Sequence, residues 1–361
     1  MVAQGSPGAA APVPTAAGAV ALARHRRLLR LALGTTLSFV TAEMLDWELS
    51  FVVTAFVVQL LTSPGRAPGL RQGIAVVLAL GLAMGTAATL STLLVDMPAL
   101  FAIVLGLVLF LAFGLQRSGR SPAVAMLILV AFGLLPVVAV QAPELVPDVA
   151  HYLVRSGAVA VLWAWLLHAL LPDPEAATPP PPGPEGAAAP PPGGVARGAL
   201  TDTAVLLPVL LLAMTFEVQA ALVVILTVTA VLRQHSLAGG RRVALSLLLG
   251  NLLGGLTALV AYELLSAVPT LGFLTALLLL VSLVHARLIV GATSLAPLYV
   301  TALVTFVIVL GMGVAPFLDQ PEATLAIRLR NLAIACVYAF AALSLVGHAG
   351  RPSVAAETRD A

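Results

Sequence analysis

Long apolar stretches separated by short polar connections run through almost the whole chain. Several of them approach the ~20 residues that an α-helix needs to cross a bilayer. The pattern therefore predicts an all-α polytopic membrane protein with about twelve transmembrane helices. The predicted helices cover residues 28–44, 49–61, 72–95, 99–115, 123–140, 149–171, 200–216, 218–232, 243–265, 271–285, 288–314 and 323–346.

A segment rich in proline, glycine and alanine divides this pattern into two blocks. Proline removes amide donors and glycine adds backbone entropy, so we expect a flexible linker there. The predicted parts are a disordered cytoplasmic tail with a basic end, a first six-helix repeat, a cytoplasmic linker, a second six-helix repeat and a second cytoplasmic tail. They cover residues 1–27, 28–171, 172–199, 200–346 and 347–361 in that order.

The two blocks resemble one another in sequence. Three pairs of segments match in the same order and at nearly constant separation, which is typical of an internal repeat. The pairs are 155–165 with 330–340, Thr41-Ala-Glu43 with Thr215-Phe-Glu217, and Gly81-x-x-x-Gly85 with Gly250-x-x-x-Gly254. Because each half holds an even number of helices, we expect parallel repeats related by an axis along the membrane normal.

Composition agrees with a membrane protein and excludes several other classes. Hydrophobic residues make up 60% of the 361 residues and charged residues 9%, whereas soluble domains carry about 25% charged residues. The basic residues are all arginine and are scattered between apolar runs, so no nucleic-acid-binding face is expected. The single cysteine, Cys336, excludes internal disulfides and is expected to be a small packing residue.

The distribution of arginine predicts the orientation in the membrane. Alternate connections and both tails hold the arginines outside the predicted spans, and the other connections hold acidic residues and no arginine. Since basic residues stay on the cytoplasmic side, both termini should be cytoplasmic in a multi-pass protein of the bacterial inner membrane. The arginines expected on the cytoplasmic side are Arg24 to Arg30, Arg66, Arg71, Arg117, Arg120, Arg197, Arg233, Arg241, Arg242, Arg287, Arg351 and Arg359. The acidic residues expected on the opposite side are Asp46, Glu48, Asp96, Glu144, Asp148, Glu217, Glu263, Asp319 and Glu322.

Two predicted helices, 49–61 and 218–232, are short and occupy corresponding places in the two halves. Paired short segments are typical of transport sites, because broken or re-entrant helices expose backbone groups at depth. Tilted helices account for the same pattern equally well.

Charged residues inside predicted spans are the main candidates for function. Arg155, Arg328 and Arg330 lie within the sixth and twelfth spans, and Glu43 and Glu217 lie at comparable outer depth. A membrane-embedded arginine costs at least a few kcal/mol, so it should face the bundle interior, a watery cavity or a partner. Two readings stay open: structural Glu–Arg pairs, or arginines that receive an anionic substrate beside carboxylates that carry protons.

Other polar positions are weaker candidates. Gln59 and Asn251 are expected to bond across helices or contact substrate, and the two glycine pairs are expected to pack helices. His151, His168, His235 and His285 lie near predicted span ends, where a solvated histidine is expected. The sequence has no metal-ligand spacing, phosphate loop or nucleophile elbow, so no enzyme activity and no cofactor are expected.

The chain resembles the fusaric acid resistance and aromatic acid exporter family of bacterial inner-membrane proteins. The resemblance rests on the doubled six-helix unit and on the segment 51–59, a Gly/Pro loop with Arg71 and the glycine-spaced third helix, together with their second copy at 222–232, 241–242 and 250–255. Family members commonly carry a sizeable cytoplasmic domain between the halves, where this chain has only the linker. The resemblance implies proton-driven export of aromatic or other weak organic acids, often with a periplasmic membrane-fusion protein as partner.

These observations favour a secondary-active exporter of small organic anions in the lipid bilayer. Distant similarity to plant malate channels, which have one six-helix unit per subunit, keeps a passive organic-anion channel as an alternative. A non-transporting membrane scaffold is a third alternative, which the arginines within the spans disfavour.

Overall fold

A computed structural model describes residues 16–47, 49–63, 68–172, 192–214, 237–291 and 294–314, together with Arg330, Ile334 and Val337. Within these residues the chain is helical and contains no strand. The helices are α1 Ala16–Met44, α2 Ser50–Thr62, α3 Leu70–Leu94, α4 Pro98–Arg117, α5 Pro122–Gln141, α6 Val146–Leu170, α7 Pro192–Ala213, α8 Leu237–Ala267, α9 Leu271–Gly291 and α10 Ala296–Val314.

Eight of these helices, α3 to α10, are long and apolar enough to cross a membrane. Large apolar side chains also cover their outer faces: along α4, Ile103 is 69% exposed, Leu107 56% and Leu111 60%. Such a stripe is unfavourable in water and favourable against lipid tails. The chain is therefore a multi-pass, all-helical membrane protein.

The first two helices differ from these eight. In α1, Arg24 to Arg30 precede the apolar part, and α2 has only 13 residues. The short α2 agrees with the apolar pattern. Its predicted counterpart at 218–232 and most of the predicted helix at 323–346 lie outside the described residues.

Five helix boundaries differ by six residues or more from those expected. Helix α8 begins at Leu237 and not at 243, so Arg241 and Arg242 lie within a helix and not in a connection, and α10 begins at Ala296 and not at 288. Helix α1 begins at Ala16, because the alanine-rich segment before the arginines has a high helix propensity. Helix α7 begins at Pro192, inside the expected linker, because proline is well suited to the first position of a helix. Helix α9 continues to Gly291, so Arg287 lies within a helix and not in a connection.

One hydrophobic cluster joins the middle helices of the first half to the first helix of the second half. It is built by α3, α4, α5 and α7, with Leu109 and Phe113 on α4, Leu135 on α5 and Leu206 on α7 all buried. Helix α7 packs mainly on α4, and α3 packs on α5. The chain after the linker thus returns to the helices that precede it.

A second hydrophobic cluster contains the first helix of the chain and three of the four described helices of the second half. Helices α1, α2, α6, α8, α9 and α10 build it, and its largest buried side chains include Phe39 on α1 and Phe306 on α10. Helix α1 packs on α9, α2 packs on α10, and α8 packs on α10. The initial helices α1 and α7 are therefore each packed against helices of the other half.

A bidentate ion pair fixes α4 to α7. Arg117 donates from Nε to Oδ2 of Asp202 over 2.6 Å and from Nη2 to Oδ1 over 2.9 Å. Asp202 is only 5% exposed. A Cβ on Gly198 would lie 2.5 Å from Nη1 of Arg117, so glycine leaves the room that the guanidinium occupies.

Candidate functional site

The connection between α1 and α2 has a defined geometry that places an aromatic side chain. Asp46 has a φ of 50°, in the left-handed region. The amide of Asp46 donates to the Glu43 carbonyl and the amide of Trp47 donates to the Ala42 carbonyl, both over 3.1 Å. These two bonds, five-to-two and six-to-one, form a Schellman cap that ends α1 and fixes the backbone at Trp47.

Arg155 of α6 contacts this connection. The Cζ atom of Arg155 lies 4.2 Å from the centroid of the Trp47 ring and 4.8 Å from the ring of Tyr152. Both distances lie within the range of a cation–π interaction. Tyr152 is three residues before Arg155 on α6, so the two side chains share a helix face. The aromatic contacts hold the guanidinium in one place without neutralising its charge.

The Arg155 guanidinium keeps hydrogen-bonding capacity. Its Nε atom is buried and has no hydrogen-bond partner among the described residues. A guanidinium is a donor only, and a buried unsatisfied donor costs about 1–3 kcal/mol. An acceptor that reaches this edge, such as a carboxylate oxygen, would remove that cost.

Glu43 lies at the same connection but is not the partner of Arg155. Its Oε1 accepts a hydrogen bond from the Ser50 hydroxyl at the start of α2. Ser50 is buried and Glu43 is half-buried. Among the described residues there is no ion pair between Glu43 and Arg155. At this corner, formed by the end of α1, the start of α2 and α6, Arg155 contacts Trp47, four residues after Glu43, and the direct Glu–Arg pair, one of the two hypotheses, is not formed.

The structure describes three other predicted site residues, Gln59, Arg330 and Asn251. Gln59 is exposed near the end of α2, and Arg330 is helical and exposed. Asn251 is buried; its amide donates to the Leu247 carbonyl over 2.8 Å and its oxygen accepts from the Thr305 hydroxyl over 3.0 Å. The contacts of Asn251 are thus those of a residue that joins α8 to α10. Arg328 and Glu217 lie outside the described residues.

Sequence reasoning missed Trp47 and Tyr152 at this corner, and the burial of His285 elsewhere in the molecule. Trp47 and Tyr152 were not singled out, although each lies close to a predicted charged residue and aromatic rings commonly stack on arginine. His285 was expected to be solvated near a helix end, and this expectation is wrong: the residue is 4% exposed, because α9 extends beyond it and α10 covers it. The apolar sequence continues on both sides of Arg287, which could have indicated that the helix extends beyond His285.

The fold and this corner define an all-helical polytopic membrane protein with an arginine held among aromatic rings in one of its spans. A family model described as "Protein of unknown function (DUF2955)" matches residues 27–167. The matched segment runs from within α1 to within α6. The comparisons found no match among curated proteins and none among solved structures.

Proposed function

We propose that the protein is a secondary-active exporter of organic anions, in particular aromatic or other weak carboxylic acids, coupled to protons. The observation that carries the proposal is the Arg155 guanidinium, held by Trp47 and Tyr152 with its buried Nε unsatisfied. An arginine in an apolar helix is costly unless it meets an anion, a cavity or a partner. A transported anion meets that requirement.

The chemistry of the corner suits an aromatic carboxylate. A guanidinium offers two parallel N–H donors to a carboxylate, which is stronger and more directional than a single neutral hydrogen bond. The aromatic rings beside Arg155 offer apolar and edge-to-face contacts to the ring of a substrate. In this proposal Arg155 receives the carboxylate, and Glu43, bonded to Ser50, carries a proton at the same corner.

The proposal includes an architecture of twelve spans in two parallel six-helix repeats. Corresponding helices of the two halves make corresponding contacts: α3 packs on α5 as α8 packs on α10, and α4 packs on α7 as α9 packs on α1. The family match from 27 to 167 covers nearly the whole first unit and nothing of the second. Both observations support a doubled unit whose first helices are exchanged between the halves.

The proposed membrane, orientation and partner follow from the arginine distribution and from the family resemblance. We place the protein in a bacterial inner membrane with both termini cytoplasmic, because the arginines between spans alternate with acidic connections. A periplasmic membrane-fusion protein is the partner that the resemblance implies. In the second half, Arg328 and Arg330 would receive the carboxylate and Glu217 would carry a proton, as Arg155 and Glu43 do in the first half.

Ligand-dependent melting tests the anion site. Detergent-purified protein should melt at a higher temperature with phthalate, an aromatic dicarboxylate, than with succinate, because a ligand at about a hundredfold its Kd adds about 2.7 kcal/mol to the folded state. Arg155→Gln should lose the increase, and Arg155→Lys should keep part of it because charge remains without the planar fork. Arg120→Gln, at an exposed position, is the matched control. If phthalate raises the melting temperature of Arg155→Gln as much as that of the wild type, and the variant melts at a lower temperature without ligand, then Arg155 holds Trp47 in place and does not bind the anion.

Flux in proteoliposomes tests the transport mode. Phthalate stays ionised and crosses protein-free membranes slowly, so protein-free vesicles give the background. A proton-coupled carrier accumulates phthalate against its gradient when a pH gradient is imposed. A passive channel allows downhill flux but no accumulation, and a scaffold allows neither.

A further inference from the structure

Helix α9 carries a histidine in an interior position. His285 is 4% exposed and lies six residues before Gly291, the last residue of the helix. At 1.5 Å per residue it is about 9 Å from the helix end. The ring stacks on Phe306 of α10, with centroids 6.3 Å apart and an interplanar angle of 18°. One side of the imidazole is therefore closed by an aromatic ring.

The hydrogen bonding of His285 fixes its tautomer. The Nδ1 atom lies 2.9 Å from the carbonyl oxygen of Val281, one turn earlier on α9. A carbonyl oxygen only accepts, so Nδ1 carries the hydrogen and donates it. In the neutral ring the lone pair is then on Nε2. That atom is buried and has no hydrogen-bond partner in the part of the chain that the structure describes.

A second unsatisfied polar group lies one turn before the histidine. Ser282 is fully buried, and its Oγ has no hydrogen-bond partner among the described residues. Residues three apart share a helix face, so Ser282 and His285 present a hydroxyl and a basic lone pair on one side of α9. Native proteins satisfy buried polar atoms with protein groups or ordered water. A water between the two groups would have the polar partners it needs.

The charged groups on the helices around α9 are mostly basic. Helices α1, α8 and α10 pack against α9. The titratable residues with described side chains on these four helices are Arg24, His25, Arg26, Arg27, Arg30 and Glu43 on α1, Tyr262 and Glu263 on α8, Arg287 on α9 and Tyr299 on α10. Of these residues, Arg287 lies two positions after His285, and Arg24 lies beside Gly291 at the end of α9. Positive charge close to this end of α9 favours release of a bound proton.

We propose that Ser282 and His285 form a proton-binding site of the transport cycle. A hydronium ion held by the Ser282 hydroxyl gives its proton to Nε2 of His285, which leaves water and an imidazolium, and the reverse step releases the proton. This inference rests on the proposed function, proton-coupled export, and adds to Glu43 a second proton-binding position, at the other end of α1.

Matched substitutions in proteoliposomes test the site. His285→Asn keeps an amide donor towards Val281, as Asn251 bonds the Leu247 carbonyl one turn earlier on its own helix, and loses Nε2. Accumulation of phthalate driven by a pH gradient should fall about tenfold or more in this variant. Downhill phthalate exchange without a pH gradient should stay close to the wild-type rate. Ser282→Ala should show a smaller loss of the same kind.

Two control variants separate this role from a structural one. His168→Asn replaces a half-buried histidine with the same bond one turn back, from Nδ1 to the Ala164 carbonyl at 2.7 Å. Ser91→Ala removes another fully buried hydroxyl without a partner among the described residues. Both controls should accumulate phthalate as the wild type does. Wild-type accumulation in His285→Asn overturns the inference and leaves the proposed function standing.

A direct titration tests the site without transport. In detergent-purified wild-type protein labelled with ¹⁵N-histidine, the signal that responds to Ser282→Ala should change from that of a neutral imidazole to that of a protonated one as the pH is lowered. If this histidine stays a neutral imidazole at every pH, the inference is overturned. The measurement uses the wild-type His285, so it stands even if His285→Asn does not fold. A wild type without any phthalate flux but with a titrating His285 would defeat the proposed function alone.

Discussion

The glycine pair Gly81 and Gly85 of α3 and the pair Gly250 and Gly254 of α8 share their spacing but not their surroundings. A Cβ added to Gly85 would meet no atom of the described residues within 4 Å. A Cβ added to Gly254 would overlap the backbone of α10 at Ala302. Close approach of two helix backbones, the common use of this spacing in membranes, thus occurs at α8 and not at α3.

The neighbouring helix explains the difference. Helix α10 presents Ala302 to α8, and a Cβ on Gly250 would lie 2.7 Å from the Leu298 carbonyl oxygen. In the first half the small residue is on α6 instead: a Cβ on Gly157 would lie 2.5 Å from Cδ2 of Leu80. A glycine pair therefore permits close packing, and the partner's residues decide whether it occurs.

Two of the contacts between the halves, α4 with α7 and α1 with α9, also differ in charge. At α4 and α7, Arg117 meets the carboxylate of Asp202. At α1 and α9, a Cβ on Gly291 would lie 3.3 Å from Nη2 of Arg24, so this arginine lies at the C-terminal end of a helix. A cation there is favoured by the helix dipole, typically by less than about 1 kcal/mol. The bidentate pair should therefore matter more to stability than the contact of Arg24.

Breaking the bidentate pair should have the largest effect. Arg117→Gln leaves the buried Asp202 carboxylate unpaired and should lower the free energy of unfolding by about 3 kcal/mol. Unfolding in mixed micelles with increasing SDS measures the change. The exposed Arg120 gives the control Arg120→Gln, which should change stability little. Equal small losses in both variants would show that water reaches Asp202.

The next largest effect should follow from adding a methyl group where the backbones of α8 and α10 are in contact. Gly254→Ala forces the backbone of α10 away from α8 and should lower the free energy of unfolding by about 2 kcal/mol. The same SDS titration measures it. A gain in stability would mean that the helices separate at no cost and that the close contact contributes nothing.

A smaller effect should come from the polar bond in the same contact. A double-mutant cycle of Asn251→Leu and Thr305→Val should give a coupling energy of about 1 kcal/mol, typical of interhelical hydrogen bonds in membranes. Thr301→Val is the control, because the Thr301 hydroxyl bonds the Pro297 carbonyl of its own helix. A coupling of zero would place the two side chains out of contact in the membrane.

The smallest effect, with opposite sign, is expected in the first half. Gly85→Ala adds a methyl group where, in the part of the chain that the structure describes, no atom lies within 4 Å. It should raise the free energy of unfolding by up to about 1 kcal/mol, because alanine has a higher helix propensity than glycine. Destabilisation in the SDS titration would indicate that another molecule packs on this face.

The sequence by itself determined the class of protein and most of the helices. Apolar runs long enough to span a bilayer, divided by short polar connections, admit few alternatives, because each backbone group in lipid must be bonded within its own helix. The short α2 and the unusual position of Arg155 within a span were visible for the same reason. These properties depend on length and local composition, which the chain carries without reference to its neighbours.

Only the tertiary structure decided which faces meet. Trp47 on the cap of α1, and not Glu43, contacts Arg155, and α10 buries His285. Helix α7 packs on α4 of the other half, and Gly254 lies against Ala302 whereas Gly85 has no close neighbour among the described residues. In a soluble helix a polar face marks the side away from the core, but here lipid-facing and core-facing sides are both apolar. The periodicity therefore does not indicate the packed face, and the partner of each buried polar group emerges only when the helices assemble.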